Sequence, residues 1–80
     1  MESFLFTRRT VHGPAVRAIR EAIGISQQQL ADDVGVSGSY LTNIEAGRKQ
    51  PSPELARRIA DRLTVDVTAF SYIVPDARSR

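Results

Sequence analysis

Residues 26–47 read Ser-Gln-Gln-Gln-Leu-Ala-Asp-Asp-Val-Gly-Val-Ser-Gly-Ser-Tyr-Leu-Thr-Asn-Ile-Glu-Ala-Gly, which is the pattern of two short capped helices joined by a glycine turn. Ser26 is a capping residue, and Gln29 three positions on completes a capping box. Leu30, Ala31 and Val34 recur at helical spacing as a buried stripe, and Gly35 supplies the left-handed backbone that stops the helix. Ser37 caps the next helix, Leu41 and Ile44 face inward from it, and Gly47 ends it. Ala31 matters most for geometry, because its small side chain lets two helix backbones approach closely. The arrangement is a helix-turn-helix.

Outward from this stretch, residues 14–24 read as helix 1, with Pro14 at the first position and Gly24 at the end. Val16, Ile19 and Ile23 make its apolar stripe, with Ala15 and Ala22 beside it. Helices 2 and 3 cover residues 27–34 and 38–46, followed by a polar turn over 48–51. Ser52-Pro53-Glu54 starts helix 4, where Leu55, Ala56, Ile59, Ala60 and Leu63 repeat at helical spacing. Asp66 is placed to cap a short fifth helix, with Val67, Phe70 and either Ile73 or Val74 on one side. The expected fold is all-α, a compact five-helix bundle over residues 13–74. An extended arm precedes it over 1–12, and a flexible polar tail follows over 75–80.

Eighty residues with 41% hydrophobic content provide one domain with a small core and argue against wholesale disorder. The chain has no cysteine, so it holds no disulfide, thiolate metal site or thiol nucleophile. The apolar run Ser3-Phe4-Leu5-Phe6 is too short for a secretory leader, and no stretch is long enough to span a membrane. A cytoplasmic protein is the default expectation. His12 is a lone histidine, Asp32-Asp33 lacks a third ligand at useful spacing, and the glycines at 35, 38 and 47 form no phosphate loop. No enzymatic activity, metal, cofactor or small-molecule ligand is expected.

The net charge is only +2, but ten of the eleven basic residues are arginine, which favours bidentate and phosphate contacts. Residues 26–46 contain three acids and no base. The bases flank that stretch, at Arg8, Arg9, Arg17 and Arg20 and again at Arg48, Lys49, Arg57, Arg58 and Arg62. Helix 3 must therefore read a partner through neutral polar groups, with attraction to a polyanion coming from the flanks. For a helix-turn-helix that partner is double-stranded DNA, with helix 3 in the major groove.

The chain resembles the Cro/repressor-type helix-turn-helix regulators of phages and bacteria over roughly residues 13–70. The likeness rests on Ser-Gln-Gln-Gln-Leu-Ala at 26–31, Val-Gly-Val-Ser at 34–37, Tyr-Leu-Thr-Asn-Ile-Glu-Ala-Gly at 40–47 and Pro-Ser at 51–52. It implies a five-helix domain that dimerises on operator DNA, as a Cro-like repressor does. It places Ser37, Gly38, Ser39, Thr42 and Asn43 at the major groove, Gln27 on a phosphate, and Arg48 and Lys49 along the backbone. It also implies a partly buried ion pair between Arg20 and Glu45. Gly38 stands where relatives often carry a long polar side chain, and Thr64 where they often have glycine.

The chemistry of these positions gives them separate roles. Asn43 offers one donor and one acceptor, which match adenine N7 and N6, whereas Ser39 and Thr42 are short side chains that bond bases or phosphates with little discrimination. Ser37 is a helix cap with a hydroxyl able to reach phosphate. Gln27 and Gln28 lie at the start of helix 2, where the dipole and free amides attract a phosphate, and Gln28 is also placed to orient helix 3. Tyr40 combines a packing ring with a hydroxyl that reaches the backbone. Arg8 and Arg9 precede helix 1 as a minor-groove arm would.

A homodimer is the expected assembly, because one small module buries a limited DNA interface. Its surface is read as Val67, Phe70, Ile73 and Val74, or else Phe4, Leu5 and Phe6, although closure of the chain's own core explains the first set equally well. A rival reading from a different class is an antitoxin-type DNA-binding protein whose main partner is a small toxin protein. Its docking element would be the apolar segment at Phe4, Leu5 and Phe6.

Overall fold

Three serine caps start three of the four α-helices among the described residues. In the computed structural model, which describes residues 7–75, Ser26 Oγ accepts the Gln29 amide at 3.0 Å and opens helix α2, Gln27–Val34. Ser37 Oγ accepts the Tyr40 amide at 3.0 Å and opens α3, Gly38–Glu45, and Ser52 Oγ accepts the Leu55 amide at 3.1 Å and opens α4, Pro53–Leu63. Each cap satisfies an amide that the helix cannot, a contribution of about 1 kcal/mol apiece. The first helix, α1, spans Gly13–Ile23 with Pro14 in its first turn, and His12 at its cap position makes no side-chain bond. Gly24 and Gly35 end α1 and α2 in left-handed conformation, whereas α4 ends on Thr64, a β-branched residue held at φ 58°.

The helices converge on one core. Val16, Leu30, Ala31, Val34, Leu41, Ile44, Leu55, Ala56, Ile59, Ala60 and Leu63 are buried, joined by Val11 and Phe70 from outside the helices. Ile23, expected in the α1 stripe, is instead 45% exposed, because it is the last helical residue and the chain turns away at Gly24. At the other end of α1 the backbones nearly touch. A Cβ on Gly13 would collide with the carbonyl oxygens of Ile44 and Glu45, so the close approach of α1 to the end of α3 depends on glycine.

The all-α, five-helix expectation is corrected at both ends of the described chain. After Asp66 a single 3-10 turn, Val67–Ala69, leads into a strand, and that strand pairs antiparallel with a second one. Strand β1 is Thr7–Val11 and strand β2 is Ser71–Pro75, in register Thr7 with Pro75, Arg9 with Ile73 and Val11 with Ser71. Tyr72, Ile73 and Val74 are strong strand formers, and Pro75 could not extend a helix. Phe70, read as a candidate dimer residue, is 1% exposed and closes the core instead. Tyr72 and Ile73 are 50% and 59% exposed, and Val67 and Val74 are half-buried. Over Thr7–Val11 the expected extended arm is a strand paired with β2, and it carries Arg8 and Arg9. The candidate dimer residues Phe4, Leu5 and Phe6, the tail from residue 76 and the side chain of Arg8 lie outside what the structure describes.

Candidate nucleic-acid interface

The inward face of α3 is fixed by Leu41 and Ile44, both buried, so the residues between them must point elsewhere. Ser39 and Thr42 are exposed and Asn43 is half-buried on that outer side. Gly38 opens the helix with the Gln28 side chain laid against it, since a Cβ there would lie 2.7 Å from Gln28 Oε1. Gln28 Nε2 also donates to Asp32 Oδ1 at 2.8 Å, which holds its amide in place across the turn. Tyr40 is half-buried and packs on the core edge. Ser37 is engaged as the cap of the same helix.

Behind this face runs a polar seam. Arg20, buried on α1, donates from Nε to Glu45 Oε2 at 2.8 Å and from NH2 to Glu45 Oε1 at 3.2 Å. A third guanidinium nitrogen, NH1, donates to the Ile25 carbonyl at 2.9 Å, so the fork joins α1, the α1–α2 turn and α3. The bidentate geometry supplies the hydrogen bonds that a buried pair of charges requires. Gln27 continues the chain outward. Its Nε2 donates to Glu45 Oε1 at 3.0 Å, and its Oε1 accepts from Thr42 Oγ1 at 2.7 Å. Gln27, read from sequence as a phosphate ligand, is thus also the tie between the buried ion pair and the outer face of α3.

Basic residues rim the face rather than occupy it. Arg48 and Lys49 follow α3, where their amides donate to the Asn43 carbonyl at 2.9 and 3.2 Å and cap the helix end. Arg48 NH1 reaches back to Asn43 Oδ1 at 3.0 Å. Both are exposed cations beside a helix C-terminus, a favourable position for positive charge. Arg9 stands on β1 and donates to Ser71 Oγ across the sheet at 3.0 Å. The acids close to α2 are already engaged, Asp32 by Gln28 and Asp33 by Arg62 on α4. Only Asp33 is thereby paired with a cation, since the Gln28 amide is neutral.

One supporting residue had no sequence signal beyond its polarity. Gln50, grouped with the solvated turn, pairs with the Val11 backbone through both ends of its amide, accepting from the Val11 N–H at 2.8 Å and donating to the Val11 carbonyl at 2.9 Å. It acts as a one-residue strand beside β1 and fastens the ribbon to the turn that carries Arg48 and Lys49. A groove of about 500 Å³ lies beside it, lined by Arg9, Val11, Pro51, Pro53, Arg57 and Val67 among others, with no acid or histidine in its lining. Among the described residues no helix is long and apolar enough to cross a membrane.

Comparison with known proteins agrees with this geometry. A family model described as helix-turn-helix matches residues 16–70. The chain belongs to the Cro/repressor-type helix-turn-helix family. This helix-turn-helix chain is 36% identical over 72 residues to the transcriptional regulator ClgR of Mycobacterium tuberculosis, covering 90% of its own length and 62% of ClgR. It is 37% identical over 58 residues to the immunity repressor protein of Bacillus phage phi105, covering 72% of itself and 40% of that protein. It therefore spans less than two thirds of either curated relative. Among solved structures it resembles the restriction-modification controller protein C.AhdI from Aeromonas hydrophila, with TM-score 0.68, 30% identity and coverage of 71% and 83% of the two chains. It likewise resembles SinR, a master regulator for biofilm formation solved in complex with DNA, with TM-score 0.67, 31% identity and coverage of 71% and 95%.

Proposed function

We propose that this chain is a sequence-specific DNA-binding regulator of transcription, a Cro-like repressor that lays α3 in the major groove of operator DNA as a homodimer. In this reading Gly38, Ser39, Thr42 and Asn43 meet base edges. Ser37, Tyr40, Arg48 and Lys49 meet phosphates, and Gln27 and Gln28 set the height and orientation of α3. The observation that carries it is the outer face of α3, a row of small neutral polar side chains on a rigidly capped helix, with cations only at its rim. The internal ties of this face, Thr42 to Gln27 and Gly38 and Asn43 to Arg48, leave Ser39, the Asn43 amino group and the Thr42 lone pairs turned outward. Its composition suits hydrogen bonding to bases, while the rim supplies the salt-dependent attraction to backbone.

Selection of bound sequences from random duplex DNA, followed by sizing of the complex, tests the proposal. The expected result is a palindromic site with half-sites roughly 34 Å apart and two chains per site. Asn43→Ala costs about 1–3 kcal/mol on that site and relaxes preference at one base pair of each half. Failure of the parent protein to enrich any sequence at low ionic strength contradicts it.

A further inference from the structure

Two polar side chains on the outer face of α3, Thr42 and Asn43, are tied to neighbours whose chemistry permits a hydrogen bond in one direction only. Arg48 NH1 lies 3.0 Å from Asn43 Oδ1. A guanidinium donates and never accepts, so the atom facing it is the carbonyl oxygen, and the Asn43 NH2 is the end left for a ligand. Gln27 is oriented by the same logic. Its Nε2 faces the Glu45 carboxylate at 3.0 Å, which accepts and never donates, so Gln27 Oε1 is the atom 2.7 Å from Thr42 Oγ1. The Gly38 carbonyl, 2.9 Å from the same hydroxyl, is a second acceptor for its proton. Either way the single Thr42 proton is committed inside the protein, and the hydroxyl offers lone pairs to the outside.

We infer that these ties preset the hydrogen-bond sign of the recognition face: Asn43 together with Arg48 presents donors, Thr42 presents an acceptor, and Arg48 is a specificity determinant acting through Asn43. The inference rests on α3 being the groove-facing helix. In the major groove guanine shows two acceptors, N7 and O6, whereas adenine shows the acceptor N7 and the amino donor N6. An unconstrained asparagine matches adenine. An asparagine whose oxygen is held by a guanidinium matches guanine, because the positive charge beside Oδ1 repels an approaching amino group and adds further N–H donors. Thr42 by the same reasoning sits opposite an amino group, that of adenine or cytosine.

The test uses the full chain and random-duplex selection with the parent, Asn43→Ala, Arg48→Met and Arg48→Lys. The base pair at which Asn43→Ala loses preference marks the Asn43 position. The parent favours guanine over adenine there by about tenfold. Arg48→Met, which keeps the apolar stem and removes every donor, brings that ratio to within about twofold or reverses it toward adenine, with preferences elsewhere unchanged. Arg48→Lys, which still donates to Oδ1, retains guanine. The inference is overturned if the parent selects adenine at that position, or if Arg48→Met weakens all sequences alike with the guanine preference intact, the behaviour of a phosphate contact alone. Absence of any enriched sequence with the parent refutes DNA reading by α3 itself, and this inference with it.

Discussion

The seam behind α3 and the ribbon formed by β1 and β2 are both polar constructions that join distant parts of the chain, and they differ in what burial does to them. In the seam, Arg20 and Glu45 are 7% and 5% exposed, so losing either partner strands a charge in the interior. In the ribbon, Tyr72 and Ile73 face solvent and the bonds are mostly backbone to backbone. Two strands alone are marginal in water, so this pair depends on Val11, Phe70 and Gln50 for its anchorage to the helices. The outer face of α3, proposed above to read DNA, is thereby built on the stiff region and not on the soft one.

The contrast is sharpest in mutants. Glu45→Ala is expected to cost about 3–5 kcal/mol in urea denaturation, since it removes the buried carboxylate that grips Arg20 and leaves only the exposed Glu21 at 3.9 Å. A loss under about 1 kcal/mol would show that the seam is solvated and no stiffer than the ribbon. Gln50→Ala comes next, at about 1–3 kcal/mol, because it leaves the Val11 N–H and carbonyl without partners. Hydrogen exchange should then accelerate at Val11 and its strand neighbours while amides of α2 and α3 keep their protection. Uniform acceleration would mean that ribbon and helices open as one unit.

A smaller effect of opposite sign is expected at the junction between the regions. Thr64 holds a left-handed conformation that costs a residue with a Cβ about 1–2 kcal/mol, so Thr64→Gly should raise the midpoint of thermal unfolding. Smallest of all is a pH effect at Asp66. The Thr68 amide and hydroxyl bonds hold its carboxyl below the ordinary carboxylate value. Its stabilising contribution is therefore complete above the unfolded-state value and fades as pH falls through the lower folded-state one. An NMR titration of the Asp66 carboxyl carbon checks this, and a midpoint at or above the ordinary value contradicts it.

How much the sequence revealed follows the same division. The helices announced themselves locally: Ser26, Ser37 and Ser52 each lie three residues before the amide they cap, and their stripes repeat within one segment. The extended backbone of Thr7–Val11 was legible in the arm, but the ribbon depends on pairing Arg9 with Ile73, a partner no local window contains. Asp66 did cap a turn, but Tyr72-Ile73-Val74 took extended backbone once β1 was there to receive it. The outer face of α3 was legible because Leu41 and Ile44 fix its inner one. The ties of Gln27 to Glu45 and of Gln50 to Val11 were not, since polar side chains exposed in sequence give no sign of a partner 18 or 39 positions away.

The most direct test of the account is backbone amide shift mapping of the protein titrated with its selected duplex. Helix α3 is predicted to lead, with the largest changes at Gly38, Ser39, Thr42 and Asn43, smaller ones at Arg48 and Lys49, and almost none at Tyr72 and Ile73. Changes concentrated in β1 and β2, with α3 silent, would contradict it.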